Sequence, residues 1–198
     1  MKILNLYAGI GGNRKLWDEV RGDLEITAIE LYPKIAKIYQ DFFPKDKVII
    51  TDAHQYLLEH FKEFDFIWSS PPCQSHSSFR KNICVRFHST KAIYPEMTLW
   101  QEIIFLKYHA KNWVVENVKP YYEPLIKPDF ILQRHYFWGN KKIPEKKFGT
   151  DLIRKSQIPQ LQQMHGFDLS GYKLENKRQI LRNCVNPKIG QYILTNLF

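Results

Sequence analysis

Cys73 stands in the run Ser69-Ser70-Pro71-Pro72-Cys73-Gln74, directly after the apolar stretch 64–69. Paired prolines fix the backbone and lack N–H donors, so they present the next side chain rigidly at the end of a strand. A thiol held there can act as a nucleophile once it loses its proton. The competing reading is a buried, inert cysteine. A second run, Trp113-Val114-Val115-Glu116-Asn117-Val118, brings a carboxylate 43 positions after Cys73. If both runs are neighbouring strands, thiol and carboxylate meet at one sheet edge. A third constellation is Tyr7-Ala8-Gly9-Ile10-Gly11-Gly12, a glycine-rich turn after an apolar run. Glycines let such a turn tighten and approach a ligand closely, although the spacing is not the G-x-G-x-x-G of dinucleotide sites. Glu30, 19 residues beyond Gly11, can accept bonds from ribose hydroxyls, and Asp52 follows the next apolar run. Each acid alone reads as a solvated loop residue or helix cap. Together they outline one crevice.

These groups need a scaffold that brings several strand ends to one edge. Short apolar runs at 3–7, 25–30, 48–50, 64–69, 113–116 and 134–138 read as strands. Helical patterns occupy 13–20, 33–43 (proline in its first turn), 55–61, 97–110 and 185–197. Strands alternating with helices imply right-handed crossovers and an α/β, doubly wound, mostly parallel sheet. The stretch 70–96 is a long polar loop of the kind that forms lids.

The 198 residues are sufficient for one core, with no repeat and no apolar run long enough to span a bilayer. Three scattered cysteines, Cys73, Cys84 and Cys184, argue against a disulfide framework and for a reducing compartment. No export signal is read at the start of the chain. Net charge is +9, unevenly spread: residues 1–79 carry 9 basic and 11 acidic groups, residues 119–188 carry 14 and 6. A near-neutral ligand-binding half joined to a basic half suits a polyanionic partner; a merely soluble lysine-rich surface is the alternative.

The order of these motifs is similar to that of the cytosine-5 DNA methyltransferase family. The matching pieces are LYAGIGG at 6–12, IE at 29–30, TDA at 51–53, SPPCQ at 70–74, VVENV at 114–118, RHYFWG at 134–139 and RQILRNCVNP at 178–187. The phrasing WVVENVKPYYEPLI most resembles small phage-encoded members. The resemblance implies a class I, Rossmann-like fold binding S-adenosylmethionine, released as S-adenosylhomocysteine, with no metal. It implies that Cys73 is the nucleophile on C6 of cytosine, next to Gln74, that Glu116 bonds N3 and the exocyclic amine, and that Arg134 holds the base oxygen or orients Glu116. Cofactor contacts are expected from Tyr7, Gly9, Ile10, Gly11, Gly12, Glu30, Leu31, Asp52, Ala53, Pro72, Leu99 and Asn183. The expected partner is double-stranded DNA, with the base flipped from the duplex. Arg80, Lys81, Arg86, Lys91, Lys141 and Lys142 are its expected contacts. A monomer in the cytoplasm of a bacterial or phage-infected cell is expected. The divisions read as a catalytic domain at 1–139, a reduced basic target-recognition segment at 140–177 and a returning segment at 178–198.

The chain departs from the family's pattern at Leu132, in place of an arginine, at Arg182, in place of a glycine, and at His76, in place of a phenylalanine. Only about 38 residues separate the late motifs, which leaves little chain for reading base edges and implies a short or lax recognition sequence. Zinc ligation by Cys73-x2-His76 and Cys84-x3-His88 has a workable local spacing but puts the pairs too close together and consumes the nucleophile. Three other readings stand beside DNA methylation: the same chemistry on tRNA, a catalytically silent DNA-binding protein, and an amino-directed methyltransferase. The last is disfavoured because Cys73 stands where such enzymes carry an aromatic residue.

Overall fold

The computed structural model of the chain describes residues 1–78, 80–85, 91–149 and 156–198, with backbone only for 83–85. Five strands pair in parallel: β1 (Lys2–Leu6), β2 (Glu25–Ile29), β3 (Lys47–Ile49), β4 (Phe66–Ser69) and β5 (Trp113–Val118). A hairpin of β6 (Phe130–Leu132) and β7 (His135–Gly139) completes the sheet, with β7 antiparallel to β5, giving the order β3-β2-β1-β4-β5-β7-β6. The central strands are apolar on both faces, as a sheet covered on both sides requires. Ile3, Ile26, Phe66, Trp68, Val114 and Phe137 pack towards helix α6 (Pro187–Leu197). Leu4, Leu6, Ile29, Ile67, Val115 and Trp138 pack towards α2 (Ala53–His60) and α3 (Thr98–His109). The sheet is therefore doubly wound, as the sequence implies.

Local chemistry sets the helix ends. Helix α1 (Pro33–Phe42) has proline in its first turn. Asp52 caps α2 by accepting from the Gln55 N–H at 2.8 Å, and Asn186 caps α6 through the Lys188 N–H at 3.0 Å. The expected helix over 13–20 is not α-helical. Turns lead instead into one 3-10 turn at Trp17–Glu19, because the Arg14 side chain is drawn into the core. There it donates to Asp46 (2.9 and 3.1 Å) and also reaches Asp18, while Tyr39 donates to the same Asp46 at 2.8 Å.

Four elements have no counterpart in the sequence reading: a helical stretch at Arg80–Val85, β6, α4 (Ile158–His165) and α5 (Lys177–Asn183). Leu161, Phe167, Leu169 and Leu181 are buried with Ile38, Tyr39 and Phe43 of α1 and its end. Part of the stretch expected to form a recognition segment thus completes the core through Leu161, Phe167 and Leu169.

Candidate active site

Register determines which side chains share the working edge. Leu6 pairs with Ile29 and Ser69, Ile29 with Ile49, and Ser69 with Val115. The next residues, Tyr7, Glu30, Ile50, Ser70 and Glu116, therefore emerge in one row at the carboxyl ends of the parallel strands. That edge is where doubly wound sheets bind ligands.

The Pro71–Gln74 segment continues from β4 and is held against β5. Buried Asn117 donates its side-chain N–H to the Pro71 carbonyl at 2.9 Å. Cys73 starts a tight turn, its carbonyl accepting from the N–H groups of His76 (3.1 Å) and Ser77 (3.0 Å). Ser77 bridges to Pro120, and the Tyr121 N–H donates to the His76 carbonyl at 3.0 Å. The segment after Glu116 thus clamps the segment around Cys73, and this brings thiol and carboxyl together. His76, fully buried, meets the Tyr122 hydroxyl at 2.5 Å.

The electrostatics of the pair are coupled. Burial and the negative charge of Glu116 push the Cys73 thiol up to about 11, with Arg134 opposing. Burial raises Glu116 to about 7, against a Ser70 hydrogen bond and the Arg134 charge. His135 Nε2 lies 3.5 Å from Glu116 Oε1. Burial and the neighbouring Arg134 hold that imidazole at about 3, so it is neutral at physiological pH. Arg134 sits in the β6–β7 turn, where Gln133 takes a φ of 53°. The Arg134 carbonyl accepts from the Lys119 N–H, and its guanidinium donates to the Arg182 carbonyl at 3.2 Å. Gln74 and Pro72 are exposed beside the thiol.

On the glycine-turn side, each Glu30 oxygen accepts one backbone N–H, Gly9 at 3.0 Å and Tyr32 at 3.0 Å. Gly9 has φ +56°, and a side chain added there would meet no atom within 4 Å, so its face is open. Gly11 and Gly12 differ: an added Cβ would fall 2.3 Å from the Phe43 ring and 2.6 Å from the Val185 carbonyl. Those two glycines serve packing, and Ile10 is buried in the core. Asp52 is exposed with one oxygen committed to its cap, and Ala53 is buried behind it. Leu31 and Ile50 are half exposed at the ends of β2 and β3. Leu99 is buried on α3. Asn183 is exposed at the end of α5, accepting from Gln179 at 2.7 Å.

One group escaped the sequence reading. Glu102 on α3 is fully buried, with its carboxylate accepting from the hydroxyls of Tyr7 (2.6 Å) and Ser69 (2.5 Å) and facing His54 Nδ1 at 3.1 Å. The carboxylate raises the pKa of His54, while burial and Glu102 raise that of Tyr7. The network fixes Tyr7, itself at φ 54°, under the open face of the crevice. In sequence, a glutamate within a helical pattern reads as solvent-facing, so no signal marked it.

Of the expected polyanion contacts, Arg80 and Lys81 lie in the helical stretch Arg80–Val85 after Cys73, and Lys91 lies further along the chain. The Arg80 guanidinium donates to the Lys91 carbonyl at 3.0 Å, and the Lys81 ammonium lies 4.8 Å from the Tyr121 ring. Arg86 falls outside the described residues. Lys141 and Lys142 follow Gly139, which pairs with Val114 at the start of β5, so the structure puts them at the opposite edge of the sheet. Lys141 there donates to the Leu197 carbonyl at 2.5 Å. Among the described residues, no three His, Cys, Asp or Glu side chains are grouped to hold a metal, and no helix is long and apolar enough to cross a membrane.

The strand order with its reversed penultimate strand, and the row of groups at its edge, define a class I methyltransferase fold. The profile of the family described as C-5 cytosine-specific DNA methylase matches residues 1–124, and the chain belongs to that family. A curated relative, the tRNA (cytosine(38)-C(5))-methyltransferase of Spodoptera frugiperda, is 36% identical over 76 residues, 37% of this chain and 23% of that protein. The chain thus spans about a quarter of that relative's length. Two solved structures share the fold. The S. pombe Dnmt2 methyltransferase has a TM-score of 0.65 at 14% identity, covering 100% of this chain and 98% of that one. The Entamoeba histolytica methyltransferase EhMeth has a TM-score of 0.61 at 12% identity, with the same coverage.

Proposed function

We propose that the protein transfers a methyl group from S-adenosylmethionine to C5 of cytosine in duplex DNA through a covalent Cys73 adduct. The observation that carries this reading is the electrostatic pairing of the Cys73 thiol with the buried Glu116 carboxyl at the carboxyl edge of the sheet. The crevice fits the cofactor. The open face of Gly9 leaves room for close approach, Glu30 keeps lone pairs for a ribose diol, and Leu31 and Ile50 offer apolar flanks for an adenine. Bound there, S-adenosylmethionine supplies an electrophilic methyl group.

The chain's own residues do the rest. C5 of cytosine is a poor nucleophile. Addition of the Cys73 thiolate to C6 forms a C–S bond and makes C5 enamine-like. Glu116, held near neutrality in its apolar setting, donates to ring N3 as negative charge develops there. Arg134, beside both groups, offsets that charge and orients the carboxyl. After methylation, the C5 proton passes to solvent, the C–S bond breaks to release the Cys73 thiolate, and the N3 proton returns to Glu116, restoring aromaticity and the starting enzyme. The base must leave the duplex to reach this edge, and the basic loop after Cys73 is where it would be covered.

Duplex DNA carrying 5-fluorocytosine tests the adduct, because fluorine at C5 cannot leave as a proton. With cofactor present, a DNA–protein species resistant to denaturation is expected, absent in Cys73→Ala. No adduct on either DNA or RNA would overturn the reading. The likeness to a tRNA cytosine methyltransferase favours tRNA as a second reading, and an adduct with fluorinated tRNA alone would establish it.

A further inference from the structure

A cleft of about 310 Å³ opens between α4 and α5, lined by Ile158, Leu174, Glu175, Asn176, Lys177, Arg178, Gln179 and Arg182. The lining carries the cations Lys177, Arg178 and Arg182 and the carboxylate Glu175. Around it, the Lys177 ammonium also donates to the Ser170 carbonyl at 3.3 Å, and Asp168 feels the charge of Lys177. The cleft is joined to the active site through the backbone: the Arg134 guanidinium donates to the Arg182 carbonyl. The Arg134 carbonyl in turn accepts from Lys119, which adjoins Pro120 and Tyr121. Pro120 bridges to Ser77, and Tyr121 lies under Lys81. These contacts link Lys81, Lys119 and Arg134 to the Arg182 backbone, and Arg178 and Lys177 stand on the same helix. The Cys73 carbonyl accepts from the Ser77 N–H on the same path. Basic residues strung between the active site and the cleft suit a polyanionic partner.

We infer that the α5 cleft is a phosphodiester-binding site that holds the nucleic-acid backbone on the side of the target nucleotide opposite the loop after Cys73. It deepens the proposed function and rests on it for the orientation of the strand. Lys177, Arg178 and Arg182 supply the charge. The apolar Ile158 and Leu174 give the cleft a wall against which a sugar or base can lie. The site replaces Lys141 and Lys142, at the far edge of the sheet, as the basic surface contributed by the C-terminal half.

The test is the salt dependence of binding, read by fluorescence anisotropy with a labelled cytosine-containing DNA duplex and, in parallel, labelled tRNA. In Lys177→Gln/Arg178→Gln, the slope of log affinity against log salt is expected to shrink by about 1 to 2, and affinity near 0.1 M salt to fall about tenfold. Lys177→Arg/Arg178→Lys should restore both, and an unchanged melting temperature distinguishes lost charge from lost fold. A reduced slope with either polymer supports the site, even if no methyl transfer is seen and the catalytic reading fails. An unchanged slope, or a larger loss in Lys141→Gln/Lys142→Gln, overturns it while leaving the Cys73 chemistry intact, whereas a wild-type protein that binds neither polymer overturns both.

Discussion

At the scale of single residues, the proposed chemistry turns on the protons of Cys73 and Glu116. Attack needs a thiolate beside a carboxylic acid, yet the groups titrate near 11 and 7. Between those pH values, the thiolate–acid form is on the order of 10⁻⁴ of the enzyme and does not change with pH, because it carries the same number of protons as the dominant thiol–carboxylate form. The kcat/KM for methyl transfer is therefore expected to rise with pH up to about 7 and then stay flat through pH 9. A profile that keeps climbing tenfold per pH unit above 8 would show that attack does not require the Glu116 proton. The same burial has a stability cost. The Glu116 carboxyl holds its proton more tightly folded than unfolded, so its contribution is intact below about pH 4.5 and is lost as pH rises through 7. Glu116→Gln should therefore unfold less readily than wild type above pH 7, by on the order of 3 kcal/mol, with no gain below pH 4.5. Thermal melts across pH read this directly, and the variant should be catalytically crippled despite its stability. Glu102→Ala strands the buried Ser69 hydroxyl and the part-buried Tyr7 hydroxyl and should cost about 3 kcal/mol in denaturant unfolding. Cys73 and Glu116 were legible in sequence because proline pairs and strand ends mark them. Glu102 was not, since only tertiary packing turns that face of α3 inward.

At the scale of elements, the glycines separate packing from function. An added Cβ at Gly190 in α6 would fall 2.0 Å from the Asn13 carbonyl, where α6 crosses the glycine turn. Gly190→Ala should cost more than about 3 kcal/mol or prevent folding, judged by yield and unfolding midpoint. Gly9→Ala meets no neighbour and pays only the strain of a positive φ, about 1 kcal/mol. Its expected signature is instead a loss of S-adenosylmethionine affinity, at least tenfold by calorimetry. Wild-type affinity in this variant would move the cofactor away from the turn. The parallel strands and α1, α2, α3 and α6 follow from periodicity and capping, because their apolar patterns are local. The helix expected over 13–20 fails for a non-local reason: Arg14 is recruited by Asp46, 32 positions away. Helices α4 and α5 are short and polar on most of their surface. Their few buried residues, Leu161 and Leu181 among them, gain meaning only when packed on α1.

At the scale of the whole molecule, the placement of charge and of the late apolar residues matters most. Residues 158 onward contribute Leu161, Phe167 and Leu169 to the core. The basic excess of the C-terminal half was plain in the sequence, but its placement was not. Antiparallel β7 carries Lys141 to the far edge, whereas Lys177 and Arg178 line the cleft between α4 and α5, where the Arg182 carbonyl accepts from Arg134. The central claim is methyl transfer to C5 of cytosine through Cys73. Its most direct test is to incubate the protein with methyl-labelled S-adenosylmethionine and unmethylated duplex DNA, with tRNA in parallel, and to identify the labelled nucleoside by mass spectrometry. The account expects 5-methyldeoxycytidine, abolished in Cys73→Ala. Label on an exocyclic amine, or 5-methylcytosine that persists without Cys73, would contradict it.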